Sequence, residues 1–430
     1  MILDRKIAPE VHDFGHLTLS PVTHHLLPNG IRLHLISGGD NEVSRLTIAL
    51  PGGEYESPIP GMSQCATSLL VEGTTSMTGE EIANTLEYNG AWINSSVSTH
   101  YSSVSLFCLN ECFDSLLPII LDMILRPTFP EDATSRLLRR TIAKIEVERE
   151  KVTFHADEAL RKMVYGADHP FAKTEDVNKI KAFTPAMLAS YHFSRLDPKE
   201  THIFLSGKLS DKMIDSVKET FASIPTDVRF PLASVKFPTE YHPATAHIKR
   251  PEALQAAIKM MIPAIGRNHP DFVALRCAVT ALGGYFGSRL MTNIREDKGL
   301  TYGISASLLG YTDESFISIS TQADNSYIPV VIREIKSEIE KMKDINSYTE
   351  DEITRLRRFI TSNLAATLDT PFTQMDFFQT HIYVGTPPDY FETQQDVAGK
   401  LSAEMLAHMA QKYFNLNQLC TAIAGNEAAL

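Results

Sequence analysis

Three polar side chains, Gln64, Thr67 and Ser68, lie at relative positions one, four and five of a short apolar segment, Gly61-Met62-Ser63-Gln64-Cys65-Ala66-Thr67-Ser68-Leu69-Leu70. On a helix these positions share one face, because residues three and four apart are neighbours. This is the spacing at which an H-x-x-E-H helix sets two zinc-binding imidazoles around a general-base carboxylate. Here all three positions carry neutral side chains. Gln, Thr and Ser are not among the residues that hold zinc in proteins, and none is a base near neutral pH. The frame of a metal helix is present and its chemistry is missing.

Other candidate groups are weaker. Cys65 invites a thiol nucleophile with His100 as a distant base, but a lone Cys in an apolar helix is usually a small buried hydrophobe. His12 and His16 are four apart, yet Asp13 and Gly15 lie between them and no third ligand is in view, which reads as a loop. His24 and His25 are adjacent and cannot share a helical face. Gly283-Gly284 is followed by Tyr285-Phe286 rather than by Lys and Ser or Thr, so it is no phosphate loop; a helix stop and a flexible segment both fit it.

Elements that position these residues can be read from the turn signals. Residues 27–36 and 44–50 read as strands, the first entered through Leu27-Pro28-Asn29-Gly30. Thr78-Gly79-Glu80-Glu81 is a capping box opening a helix with Ile82 and Leu86 one turn apart, stopped at Asn89-Gly90. A strand pair over 91–108 follows, then helices at 113–125 and 135–152. The second half repeats this order. An apolar helical stretch over 272–282 reaches Gly283-Gly284, a helix over 287–297 stops at Gly299, and strands over 302–309 and 316–322 precede another helix. We read an internal duplication of one α+β unit, joined through the Pro-punctuated stretch from Pro225 to Pro243.

Bulk properties agree with such a chain. Its 430 residues exceed one ordinary core and predict two to three domains. The 43% hydrophobic and 21% charged composition is that of a globular protein. A net charge of -12 disfavours nucleic acid and anionic membrane as partners. The five Cys form no CxxC pair, which argues against a disulfide framework and a thiolate zinc site. Met1-Ile2-Leu3-Asp4-Arg5-Lys6 lacks an apolar signal core, and the longest apolar run, 116–125, is too short to span a bilayer. A cytoplasmic, reduced protein is expected.

Several segments together resemble the pitrilysin/insulinase zinc peptidases, in the short branch similar to mitochondrial processing peptidase. Residues 27–30 match the first-strand entry, and Gly52-Gly53-Glu54-Tyr55-Glu56 the approach to the metal helix. Residues 61–74 match that helix, Asn89-Gly90 with Asn94 the next turn, and Arg126-Pro127-Thr128-Phe129-Pro130 a "P-x-F-P" corner. Leu282-Gly283-Gly284, Ser288-Arg289-Leu290 and Ile294-Arg295-Glu296-Asp297-Lys298-Gly299-Leu300-Thr301-Tyr302 are the most specific part. The resemblance implies an α+β fold of two homologous domains, each an antiparallel-rich sheet with helices on one face, enclosing a cavity. We expect domains at 1–225 and 244–430 with a linker at 226–243.

The departures carry the functional expectation. The family's two His and one Glu fall on Gln64, Ser68 and Thr67, and its third ligand, a Glu, falls at Ile145. Leu138, Ile142 and Ile145 form an apolar stripe; Glu146 is one residue away, which turns a helical side chain by about 100°. In the relatives an Arg and a Tyr of the second half bind the substrate carbonyl and stabilise the oxyanion, and they match Arg295 and Tyr302. The resemblance therefore implies no zinc in this chain, a peptide substrate, and a homologous H-x-x-E-H-bearing partner that brings the zinc. The expected function is a non-catalytic, substrate-binding subunit of a heterodimeric zinc metallopeptidase. The alternative is a structural or assembly subunit without a proteolytic role.

Overall fold

The computed structural model describes residues 12, 14–224, 241–311 and 314–429. Most of the expected join at 226–243 falls outside them.

The first half runs β1 (Thr23–Leu26), β2 (Arg32–Ser37), β3 (Val43–Pro51), α1 (Met62–Ser68), α2 (Gly79–Tyr88), β4 (Trp92–Val97), β5 (Tyr101–Leu109), α3 (Asn110–Leu125), α4 (Glu131–Arg149), α5 (Val152–Tyr165), α6 (Val177–Lys181), α7 (Pro185–Ser194), β6 (His202–Gly207) and α8 (Asp211–Phe221). The second runs β7 (Thr245–Lys249), β8 (Gln255–Ile265), α9 (Phe272–Val279), a π-helical turn (Thr280–Gly284), a π-helical segment (Met291–Asp297), β9 (Thr301–Gly310), β10 (Glu314–Asp324), α10 (Ile328–Lys341), α11 (Glu350–Ala366), α12 (Pro371–Val384), α13 (Tyr390–Gly399), α14 (Ala403–Tyr413) and β11 (Cys420–Gly425).

The duplication is explicit in the sheets. The first has the order β1-β2-β6-β3-β5-β4 and the second β7-β11-β8-β10-β9. Apart from β1 the two match strand for strand. In each, one parallel pair (β2 with β6, β7 with β11) sits beside a run of antiparallel pairs ending in an edge strand, β4 or β9. The expected capping box holds: Thr78 Oγ1 accepts from the Glu81 amide at 3.2 Å, and Glu81 Oε2 accepts from the Thr78 amide at 2.8 Å. Each half buries its own apolar cluster, one around Leu46, Phe113 and Ile203, the other around Ile258, Leu275 and Leu356.

The halves also trade one equivalent helix each. Helix α5 presents Ala156, Leu160 and Val164, four residues apart, to the second sheet, where Ala257, Ala422 and Ala424 let it approach closely. Helix α12 lays Met375 and Phe378 on the first sheet against Ile36, Ala49 and Phe204. Arg45 fastens that docking: it pairs with Asp376 at 2.7 Å, donates to the Phe372 carbonyl at 2.9 Å, and lies between the Phe107 and Phe372 rings. Under α12, His24, His34 and His202 form an imidazole chain with 2.9 Å links. Burial lowers His34 and His202 to about 3 and about 4, so both rings are neutral at physiological pH.

Candidate functional site

Helix α1 is short because Gly61, in the left-handed region at φ 87°, starts it and a tight turn at Leu69–Val71 ends it. Its polar face is closed on itself. Gln64 Nε2 donates to Ser68 Oγ at 3.0 Å, so the two positions expected to match zinc-binding imidazoles satisfy one another. Thr67 is buried and donates to the Ser63 carbonyl at 2.8 Å, the back-bond that a helical hydroxyl makes when it has no other work. Ile145 on α4 is 5% exposed and belongs to the first-half core, while Glu146 is exposed. These residues do not fit a zinc ion. Among the described residues no group of three or more His, Cys, Asp or Glu could hold a metal.

Behind α1 lies a residue that sequence reading missed. Arg195 is wholly buried on the C-terminal cap of α7. It donates to the Gly52 carbonyl at 2.7 Å and to Ser102, reaches Thr67 Oγ1 at 3.5 Å, and stacks 4.5 Å from the Tyr191 ring centre. Burial lowers its pKa, and it has no carboxylate within ion-pair distance among the described residues. Nothing in the sequence signals such a guanidinium. Neighbouring His192 is driven down to about 3 by burial, with the Arg195 charge adding to it. Cys65 is pushed up to about 11, chiefly by burial, so it is no thiolate nucleophile. His100 is bound to Glu56 at 2.5 Å.

In the second half, Arg295 and Tyr302 are brought together. Arg295 projects from the π-helical segment Met291–Asp297, and Gly299, at φ +61°, turns the chain into β9. The π geometry is visible in its bonding: the Lys298 amide donates to the Asn293 carbonyl at 3.2 Å. The Arg295 guanidinium carbon lies 5.5 Å from the Tyr302 ring centre and 4.7 Å from that of Phe286. Tyr302 and Phe286 are 91% and 61% exposed. Among the described residues the guanidinium makes no hydrogen bond or ion pair, so all of its donors are available.

A bulge aims Tyr302 outward. The register steps from Thr321↔Ile304 to Ala323↔Thr301, leaving one extra residue on β9. Thr321 Oγ1 donates to the Gly303 carbonyl at 2.8 Å and lies 2.9 Å from Thr301 Oγ1, which fixes the bulge. Beyond it, β9 buries Ile304 and Ala306 and exposes Ser305 and Ser307. Its outer ladder edge is unpaired among the described residues. Gly283 packs against this strand: a Cβ there would meet the Ala306 amide nitrogen at 2.5 Å. That close approach, rather than flexibility, is the need for glycine. Phe286 was not singled out by sequence; the aromatic pair Tyr285-Phe286 after Gly-Gly was the available signal.

Comparison with known proteins then places the chain. Residues 41–170 match the family model described as Insulinase (Peptidase family M16), and residues 182–359 match the model described as Peptidase M16 inactive domain. The chain belongs to the M16 peptidase family. A Bacillus subtilis relative of this M16 chain, described as an uncharacterized zinc protease YmxG, is 25% identical over 300 residues, 68% of this chain and 71% of that protein. A Helicobacter pylori relative, described as the non-peptidase homolog YmxG, is 21% identical over 94% of this chain and 90% of its own length. The solved M16 inactive domain from Pseudomonas fluorescens superposes with a TM-score of 0.84 at 22% identity, covering 94% of this chain and 98% of that one. A Helicobacter pylori protease structure gives 0.86 at 16% identity, covering 95% and 100%. Both share the two-domain fold with this M16 chain.

Proposed function

We propose that this protein is the non-catalytic, peptide-binding subunit of a two-chain zinc metallopeptidase. The observation that carries the reading is the Arg295 guanidinium, held between two exposed aromatic rings with its hydrogen-bond donors free. Arg keeps its charge at all working pH values and presents donors in a fixed fork, and a phenol adds one more. Beside them the open edge of β9 can take an extended peptide as an added strand, its carbonyls reaching Arg295 and Tyr302. A homologous partner with H-x-x-E-H supplies the metal and the base; this chain binds and orients the scissile carbonyl and stabilises charge developing on its oxygen. We place the protein in the cytoplasm, a reading supported by five free thiols. No described helix is long and apolar enough to cross a membrane.

A purely structural subunit has no need of an unpartnered Arg beside an exposed Tyr. The two readings separate in a complex with the H-x-x-E-H chain that carries Arg295→Ala and Tyr302→Phe. The peptidase reading expects an intact complex that no longer cleaves peptide. Undiminished cleavage would overturn it.

A further inference from the structure

Two arginines, Arg267 and Arg276, converge on a cavity of about 730 Å³ between α9, α11, α12 and α13. By chain order α9 and α11 are the counterparts of α1 and α4. The cavity's volume is that of a small-molecule site.

The electrostatics of the cavity are unbalanced. Arg276 donates to the Tyr390 hydroxyl at 3.1 Å and to Gln394 Oε1, both neutral. Arg267 donates to the Gly310 carbonyl at 2.7 Å and stacks 5.7 Å from the Phe272 ring centre. Neither has a carboxylate within ion-pair distance among the described residues. Burial lowers the Arg267 pKa, and Arg276 repels it as well. The one acidic side chain in the lining, Asp376, is already neutralised by Arg45 at 2.7 Å. Burial also lowers His381, so at neutral pH the two guanidiniums are the cations left over. Two like charges held together over neutral acceptors cost free energy that a bound anion recovers. Tyr390 accepts from Arg276 and keeps its own hydrogen to donate. The lining also holds apolar side chains: Phe359, Ile360, Leu364 and Phe377.

We propose that this cavity binds a small amphipathic anion, its charged head on Arg267, Arg276 and Tyr390 and its apolar body against Phe359, Leu364 and Phe377. The site is separate from the carbonyl-binding edge at Arg295 and does not depend on a peptidase role.

The test uses the full chain and anilinonaphthalene sulfonate, an amphipathic anion whose fluorescence reports binding, with octanoate, octanol and inorganic phosphate as competitors. Saturable binding displaced by octanoate, and far less by octanol or phosphate, is expected. Arg267→Gln with Arg276→Gln should weaken it roughly tenfold or more, the loss typical of charge-assisted hydrogen bonds. Because that pair of changes can disturb packing, Asn363→Trp serves as the second variant: it alters an exposed residue at the cavity wall, leaves both arginines in place and should also abolish binding. Equal displacement by octanol, equal displacement by phosphate, or unchanged affinity in both folded variants would each overturn the proposal.

Discussion

The polar face of α1 and the aromatic-flanked arginine before β9 make an instructive contrast. On α1 Gln64 is spent on Ser68 and Thr67 on the Ser63 carbonyl, and on α4 Ile145 is spent on the core. Before β9 the strongest donor of the site meets, among the described residues, two rings that leave its N–H groups free. Polar groups that pair within their own helix leave no donor or acceptor for a ligand, and a buried one left without a partner costs about 1–3 kcal/mol. A region that keeps an unpaired guanidinium at an exposed strand edge stays ready for a ligand. The same fold thus carries one closed site and one open one.

The contrast can be broken most forcefully at Ile145. Restoring the family's carboxylate there with Ile145→Glu, while Gln64 and Ser68 remain, buries a charge with no partner and should cost about 4 kcal/mol in urea unfolding. A loss below about 1 kcal/mol would mean the α1–α4 face is still built to accept an acid. At the open site, Arg295→Ala in the proposed two-chain enzyme should lower kcat by about 10²–10³, the usual cost of one oxyanion donor, with thermal unfolding unchanged. A tenfold rise in KM at constant kcat would instead make Arg295 a ground-state anchor.

Acid distinguishes the regions next. His192, behind α1, has its pKa lowered to about 3 from 6.5, mainly by burial. The unfolded chain therefore takes up that proton first as pH falls. The stabilisation is complete above pH 6.5 and is lost progressively below it, at about 1.4 kcal/mol per pH unit for this one group. His192→Gln should flatten the pH dependence of unfolding by that slope between pH 6 and about 4; an identical slope would show that His192 is already charged when folded. A smaller effect is expected from Phe286→Ala. Loss of one ring beside Arg295 should weaken peptide binding by about 1 kcal/mol, roughly fivefold, measured by calorimetry. Smallest of all, Gln64→Ala with Ser68→Ala should change stability by no more than about 0.5 kcal/mol and leave cleavage by the complex untouched.

How much of this was legible beforehand differs between elements for physical reasons. The capping box at Thr78, the stops at Gly90 and Gly299, and the repeated strand order are local or periodic, so sequence carries them. The neutral side chains of Gln64, Thr67 and Ser68 are local too: one helical face shows them. The exchange of α5 and α12 was not legible. The Ala156, Leu160, Val164 stripe says that α5 is buried, but not that its sheet lies in the other half of the chain. Arg195 shares that difficulty, since a buried guanidinium served by the Gly52 carbonyl and Ser102 leaves no sequence pattern. The bulge that turns Tyr302 outward depends on Thr321, twenty positions from Thr301, and only the folded register brings them to 2.9 Å.

Metal content tests the account most directly. After exchange against excess zinc and removal of loosely held ion, the purified chain should carry far less than one zinc per molecule by elemental analysis. One tightly held zinc per chain would contradict the claim that the first-half helix has lost its metal-holding side while the second half has kept its grip on the carbonyl.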